Sequence, residues 1–163
     1  MVSYRESAVD EAAAHALLTE YFAARAAGFP EEQGTYSTTF PAPEQFVPPR
    51  GCFLVVEDVD LSGEPADVGC GGIRSLGTSP AGLDRFEVKH LYLQPHLRGR
   101  GFGRALLTEL ERRAVELGAD ELVLDTNQSL EAAAGLYRSM GYQTVDPYNE
   151  NPNATHWYAK VLR

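Results

Sequence analysis

A chain of 163 residues with 44% apolar side chains is long enough for one hydrophobic core and reads as a single domain over residues 1–163. Its formal charge of −9 argues against nucleic acid as a partner, because phosphate contacts need basic surface. No apolar run approaches the roughly 20 residues that span a bilayer, and no basic-then-apolar leader begins the chain, so no membrane contact is expected and a soluble, cytoplasmic protein is.

The two cysteines, Cys52 and Cys70, both fall in apolar strand-like runs and are expected as buried reduced thiols. His15, His90, His96 and His156 show no ligand spacing, so no metal is expected.

From the N-terminus, Ser7-Ala8-Val9-Asp10 has the form of a capping box with Asp in place of Glu. It predicts a helix running to residue 27, with Val9, Ala13, Ala16, Leu17, Tyr21 and Ala24 as the buried stripe and Gly28 as the stop. Residues 29–50 hold Pro30, Pro41, Pro43, Pro48 and Pro49, with Tyr36, Phe40 and Phe46 between them. Such a stretch is long for an idle loop, and reads as a lid over a site, as a short helix, or as a loop pinned by its aromatics. The runs C-F-L-V-V-E (52–57) and V-G-C-G-G-I-R (68–74) predict neighbouring strands joined by an acidic turn. Gly69, Gly71 and Gly72 in the second mark close approach or a bulge.

The next strand, F-E-V-K-H-L-Y-L (86–93), breaks its period of two between Lys89 and His90. One extra residue there predicts a β-bulge, a feature often found beside active sites. Directly after it, residues 98–103 read R-G-R-G-F-G and open an amphipathic helix that continues to Leu117. Glycines at 99, 101 and 103 admit a ligand to the backbone, the first helical N–H groups lack intrahelical partners, and Arg98, Arg100 and Arg104 add charge. A phosphate cradle is the expected result. Arg104 stands where a dinucleotide fingerprint needs its third glycine, and no Gly-Lys-Ser or Gly-Lys-Thr occurs, which leaves R-x-x-G-x-G at a strand-to-helix junction. The run E-L-V-L-D (121–125) predicts a further strand. It is followed by a helix bearing Leu130, Ala133, Ala134, Tyr137 and Met140 on one face, and by two final strands at 142–145 and 155–162.

With that glycine loop upstream and L-E-A-A-A-G-L-Y-R-S-M-G-Y at 130–142, residues 87–145 resemble the Gcn5-related N-acetyltransferases (GNAT). The resemblance implies an α/β fold of the acyl-CoA N-acyltransferase type: a central mixed, mostly antiparallel twisted sheet with a bulged, splayed strand and flanking helices. The element order is strand, helix, loop, three strands, helix, strand, helix, two strands. It implies acetyl-CoA as co-substrate, its diphosphate held by Arg98, Gly99, Arg100, Gly101, Phe102, Gly103 and Arg104, and its pantetheine arm bonded along Leu91, Tyr92 and Leu93. Tyr137 matches the tyrosine that protonates the departing thiolate; a phenol with a reference pKa of about 10 suits that work, although packing in the core is the alternative use of such a residue. Glu87 is expected to deprotonate the amine through water, with a Glu87–Lys89 ion pair on a solvated strand as its rival. Many members carry Asn where this chain has Leu130; Asn127 either takes that part against the cofactor or caps the helix.

The C-terminal Y-N-E-N-P-N-A-T-H-W-Y-A-K is similar to a bacterial subset of the family, which directs Asn149, His156 and Trp157 toward the acceptor together with Tyr21 and Phe29. The acceptor class is a primary amine of a small molecule or peptide, drawn as a cation to a negative cleft by the acidic charge. A non-catalytic acyl-CoA-binding module and a longer acyl group remain open as alternatives, as does a homodimer.

Overall fold

The structure, a computed structural model, describes residues 2–163 and folds them around one seven-stranded sheet. The strands are β1 (Ser3–Glu6), β2 (Gly51–Val59), β3 (Pro65–Thr78), β4 (Asp84–Leu93), β5 (Glu121–Thr126), β6 (Gln143–Thr144) and β7 (His156–Val161). Their spatial order is β1-β2-β3-β4-β5-β7-β6, antiparallel throughout except for the parallel pair β4–β5. Helices α1 (Ala12–Ala27), α2 (Phe102–Glu116) and α3 (Glu131–Ser139) complete the expected order.

Alternation along β2 explains how the core divides. Phe53 and Val55 point to one face, where they join Leu17, Leu18 and Phe22 of α1. Leu54 and Val56 point to the other, where they join Leu106, Leu107 and Leu110 of α2. A strand covered on both sides reads as an unbroken apolar run, which is the pattern C-F-L-V-V shows.

The capping box does not form. Ser7 Oγ donates to the Ala8 carbonyl at 2.9 Å and to Glu11 at 3.2 Å, and the helix begins only at Ala12 without a side-chain cap. The edge of β2 claims this segment instead: residues 3–6 pair along it, and the Ser7 N–H continues the pairing to the Phe53 carbonyl at 2.9 Å. The helix is consequently rotated from the expected stripe, burying Ala14, Leu17, Leu18 and Phe22 while Ala16 and Ala24 face outward.

Residues 29–50 contain two short 3-10 turns, Glu31–Gln33 and Pro43–Phe46. The second drives Phe46 into the core against β3, at the position that explains a strand glycine. A Cβ on Gly72 would lie 2.8 Å from the Phe46 ring and 3.0 Å from that of Phe53. Gly72→Ala is therefore expected to cost about 1–3 kcal/mol by overpacking, measured as a lower denaturant midpoint at unchanged slope. Cys52 and Cys70 are buried and free, as expected.

The phase slip in β4 is a bulge. Cys70 pairs with Tyr92 and Gly72 with Lys89, so Gly71 alone spans His90 and Leu91. His90 absorbs the extra residue at φ +58°, a left-handed conformation uncommon outside glycine. Beyond the bulge the sheet opens: β4 pairs with β5 only at Arg85↔Glu121, Phe86↔Leu122 and Glu87↔Val123, whereas β5 stays paired with β7 as far as Thr126. No helix among the described residues is long and apolar enough to cross a membrane.

Candidate active site

The gap between β4 and β5 widens into a cleft of about 940 Å³ that reaches both faces of the sheet. Tyr21, Phe22 and Arg25 of α1 wall it on one side, with Tyr36, Phe40 and Phe46 from the loop; Leu130, Leu136 and Tyr137 wall it on the other. The aromatic loop thus does shape the cleft.

Tyr137 stands where the strands part. Its ring packs 6.0 Å from Tyr142 and 5.8 Å from Tyr158, and the residue lines the cleft. Burial, reinforced by the Asp125 charge, pushes the phenol up to about 12. The group therefore stays protonated across the neutral range.

The glycine turn lies at the far end of the cleft. Gly99 (φ +75°) and Gly101 (φ +84°) take conformations that side chains disfavour, and Gly101 is the N-cap of α2. The first helical bond runs from the Ala105 N–H to the Gly101 carbonyl at 3.1 Å, which leaves the N–H groups of Phe102, Gly103 and Arg104 without helical acceptors. Arg98, Gly99 and Gly103 join Leu91, Tyr92 and Leu93 in the wall. Arg98 is fixed by donating Nε to the Leu93 carbonyl at 3.1 Å. The other two arginines are engaged outside the wall: Arg100 stacks on Phe102 at 5.1 Å, and Arg104 donates to Ser139 Oγ at 2.6 Å, tying α2 to the end of α3.

The structure places several of the expected site residues outside the cleft wall. Glu87 is fully buried and does not open into the cleft. Its cross-strand neighbour Arg74 donates Nε at 3.0 Å and approaches through Nη2 at 2.8 Å, Tyr148 donates its hydroxyl at 2.6 Å, and Lys89 stands off at 4.0 Å. The strand register sets Arg74 directly opposite Glu87, a long-range fact that strand-local spacing does not contain. Asn127 is likewise spent on the fold: its amide donates to Gln33 at 2.7 Å and to the Asn153 carbonyl at 2.9 Å, and its Oδ1 accepts the Ser129 N–H at 2.9 Å. It closes the turn before α3 and is outside the cleft wall. Phe29 also lies outside, packed edge-on to Tyr36 at 5.6 Å, and His156 bonds Thr155 at 2.9 Å. Tyr21 and Asn149 do line the cleft.

Sequence reasoning missed Asp125, the last residue of E-L-V-L-D, which emerges where β5 leaves β4. Its carboxylate lies in the cleft wall, accepts the Asn149 amide at 2.7 Å and stands 3.7 Å from Lys89 Nζ. Trp157 holds Asn149 from behind by donating Nε1 to its Oδ1 at 2.9 Å. His90, in the bulge, is pressed by burial, and further by the charges of Lys89 and Arg74, down to about 3, so it remains a neutral imidazole. Nor is the cleft negative. Arg25, Arg74, Lys89 and Arg98 line it against Asp125 and Glu131, four cations to two carboxylates, despite the acidic chain.

A sheet that parts beside a bulged strand, with a glycine turn capping the next helix, is the architecture of the acyl-CoA N-acyltransferases. A Klebsiella pneumoniae protein provisionally assigned as an acyl-CoA N-acyltransferase superposes with a TM-score of 0.69 at 28% identity, over 100% of this chain and 99% of that one. The fold is shared at 18% identity by a GNAT superfamily phosphinothricin acetyltransferase from Sinorhizobium meliloti solved in complex with AcCoA (TM-score 0.62, covering 98% of this chain and 88% of that one). The chain belongs to the Acetyltransferase (GNAT) family, whose sequence model matches residues 12–142. An uncharacterized N-acetyltransferase of Schizosaccharomyces pombe is 34% identical over 108 residues, which are 66% of this chain and 61% of that relative. That relative is eukaryotic, so the bacterial flavour of the C-terminal motif does not delimit the family's sources.

Proposed function

We propose that this chain is a single-domain, cytoplasmic N-acetyltransferase that moves an acetyl group from acetyl-CoA to a primary amine by direct attack in a ternary complex. One observation carries the reading: the edge of β4 beyond Glu87, unpaired with β5, and Tyr137 border the same opening in the sheet. The open N–H groups at the head of α2, beside Arg98 in the cleft wall, suit a diphosphate at one end of that opening.

Acetyl-CoA supplies the thioester, whose C–S bond breaks as the amine nitrogen forms the new C–N bond. The chain's part is alignment and proton traffic. The freed main-chain groups of β4 orient the arm and give an N–H to the carbonyl oxygen. Tyr137 delivers the proton that the sulfur takes up. Asp125 receives the proton that the amine gives up, since its carboxylate borders the cleft and Asn149 and Lys89 hold it there. Glu87, enclosed by Arg74 and Tyr148, acts as a positioning residue that fixes the bulged strand.

Thiol release measured across a panel of amines, beside CoA titration calorimetry, tests the whole reading; no CoA association at millimolar ligand would overturn it. A sharper check lies in the turn. Gly101→Val forces a β-branched residue to φ +84°, a conformation that costs L-residues about 1–2 kcal/mol. CoA affinity is expected to fall about tenfold or more, while the melting temperature of the free protein drops only by the roughly 2–8 °C that this strain accounts for, since no neighbour lies within 4 Å of the added Cβ.

A further inference from the structure

The cleft's four cations are not equally neutralised. Arg74 is paired with Glu87, Lys89 stands between Glu87 and Asp125, and Arg98 is tied to β4 beside the glycine turn. Arg25 differs. It projects from the last turn of α1 into the opposite side of the cleft, its guanidinium 5.1 Å from the centre of the Tyr36 ring, and among the described residues no carboxylate lies within 4.0 Å of it. The negative end of the helix dipole steadies the charge without cancelling it.

We propose that Arg25, with the hydroxyls of Tyr21 and Tyr36, binds a carboxylate on the acceptor, so that the amine acetylated by this protein belongs to an amino acid or a comparably small amino acid derivative. The inference rests on the acetyl-transfer reading and adds the class of its acceptor. Donor chemistry and position carry it. Guanidinium and phenol hydroxyls are donors that match carboxylate oxygens, and guanidinium prefers that partner to any neutral one. Tyr21 and Tyr36 both border the cleft beside Arg25, and the Arg25 charge opposes the rise that burial imposes on each phenol.

The placement is also consistent. Arg25, Asp125 and Tyr137 line one and the same cleft, so a molecule seated there can meet the cation and the reacting end together. An acceptor amine beside Asp125 and Tyr137 would thus hold its carboxylate toward Arg25. The walls between are aromatic, with His90, neutral and packed edge-on to Tyr21 at 5.7 Å, offering no competing charge. A polyamine or a free lysine side chain would instead bring its cation to an arginine that has nothing to offset it.

The test pairs acceptors that differ in one charge. Each common α-amino acid is compared with its carboxamide and its decarboxylated amine by thiol release from acetyl-CoA. For the best acceptor, the acid form is expected to exceed the carboxamide in kcat/KM by roughly tenfold or more, the scale of one charge-assisted contact. Arg25→Gln should remove that preference by raising KM for the acid form alone, and Arg25→Lys should restore part of it. CoA affinity by calorimetry should be the same in all three proteins. Preference for the carboxamide, for a C-terminally amidated peptide or for a polyamine would overturn the inference, as would equal losses on acid and carboxamide in Arg25→Gln. So would CoA binding with no amino acid turned over. Failure of CoA to associate at all is a separate result, which brings down acetyl transfer itself and this inference with it.

Discussion

Tyr137→Phe is expected to lower kcat about a hundredfold or more, within the range of general acid catalysis, while CoA raises the melting temperature as it does in the parent protein. The ring that packs against Tyr142 and Tyr158 is kept, so folding stability should move by less than about 1 kcal/mol. The pH profile gives an independent reading. Because burial and the Asp125 charge raise this phenol to about 12, it remains an acid throughout the range in which amines lose their protons. The parent kcat should therefore climb with pH and then level, without a descending limb below about pH 10. A fall between pH 8 and 10 would assign the proton to another group. A Phe variant with unchanged turnover would do the same, and absence of turnover in both proteins with CoA still bound would favour a module that only senses the cofactor.

The second large effect falls on the fold. Glu87→Ala removes the buried partner of Arg74 and the acceptor of the Tyr148 hydroxyl together. Breaking a buried ion pair from one side costs about 3–5 kcal/mol, and the partial exposure of Arg74 places this case at the lower end. A drop of roughly 6–12 °C in melting temperature is expected for a chain of this size. Glu87→Gln keeps the shape and one acceptor, so its loss should be smaller. The rate per folded molecule then separates structure from chemistry: Asp125→Asn should reduce kcat/KM far more than Glu87→Gln. If the order is reversed at unchanged stability, Glu87 is the base after all, reaching the amine through Tyr148 or Lys89.

Features written in consecutive residues were legible in the sequence. The phase slip at Lys89-His90 is a local count, and the bulge follows; the glycines at 99 and 101 demand the turn that they form. Tyr137 lies on the apolar face of its helix and so had to point at the sheet. What depended on distant partners was not legible. Ser7 looked like a cap until the β2 edge took its segment, and Asn127 looked available until residues 33 and 153 came to meet it. Glu87 read as a base because nothing in F-E-V-K reveals that Arg74 sits opposite. Arg25 was invisible for the converse reason: its meaning lies in the carboxylate it lacks, and a missing neighbour leaves no trace in a one-dimensional string. Net charge misled in the same way, since the acidic residues that dominate the total are not the ones that border the cleft.

The rupture between β4 and β5 has a bearing on traffic. A passage that runs from the α1 layer to the α2 and α3 layer gives the molecule two doors, one bordered by Arg25 and the aromatic loop and the other by the glycine turn. For the proposed acetyl transfer, that would give each reactant its own door and a meeting point at the threshold between them. On that proposal the acetylated product would be able to leave while the spent thiol carrier is still seated.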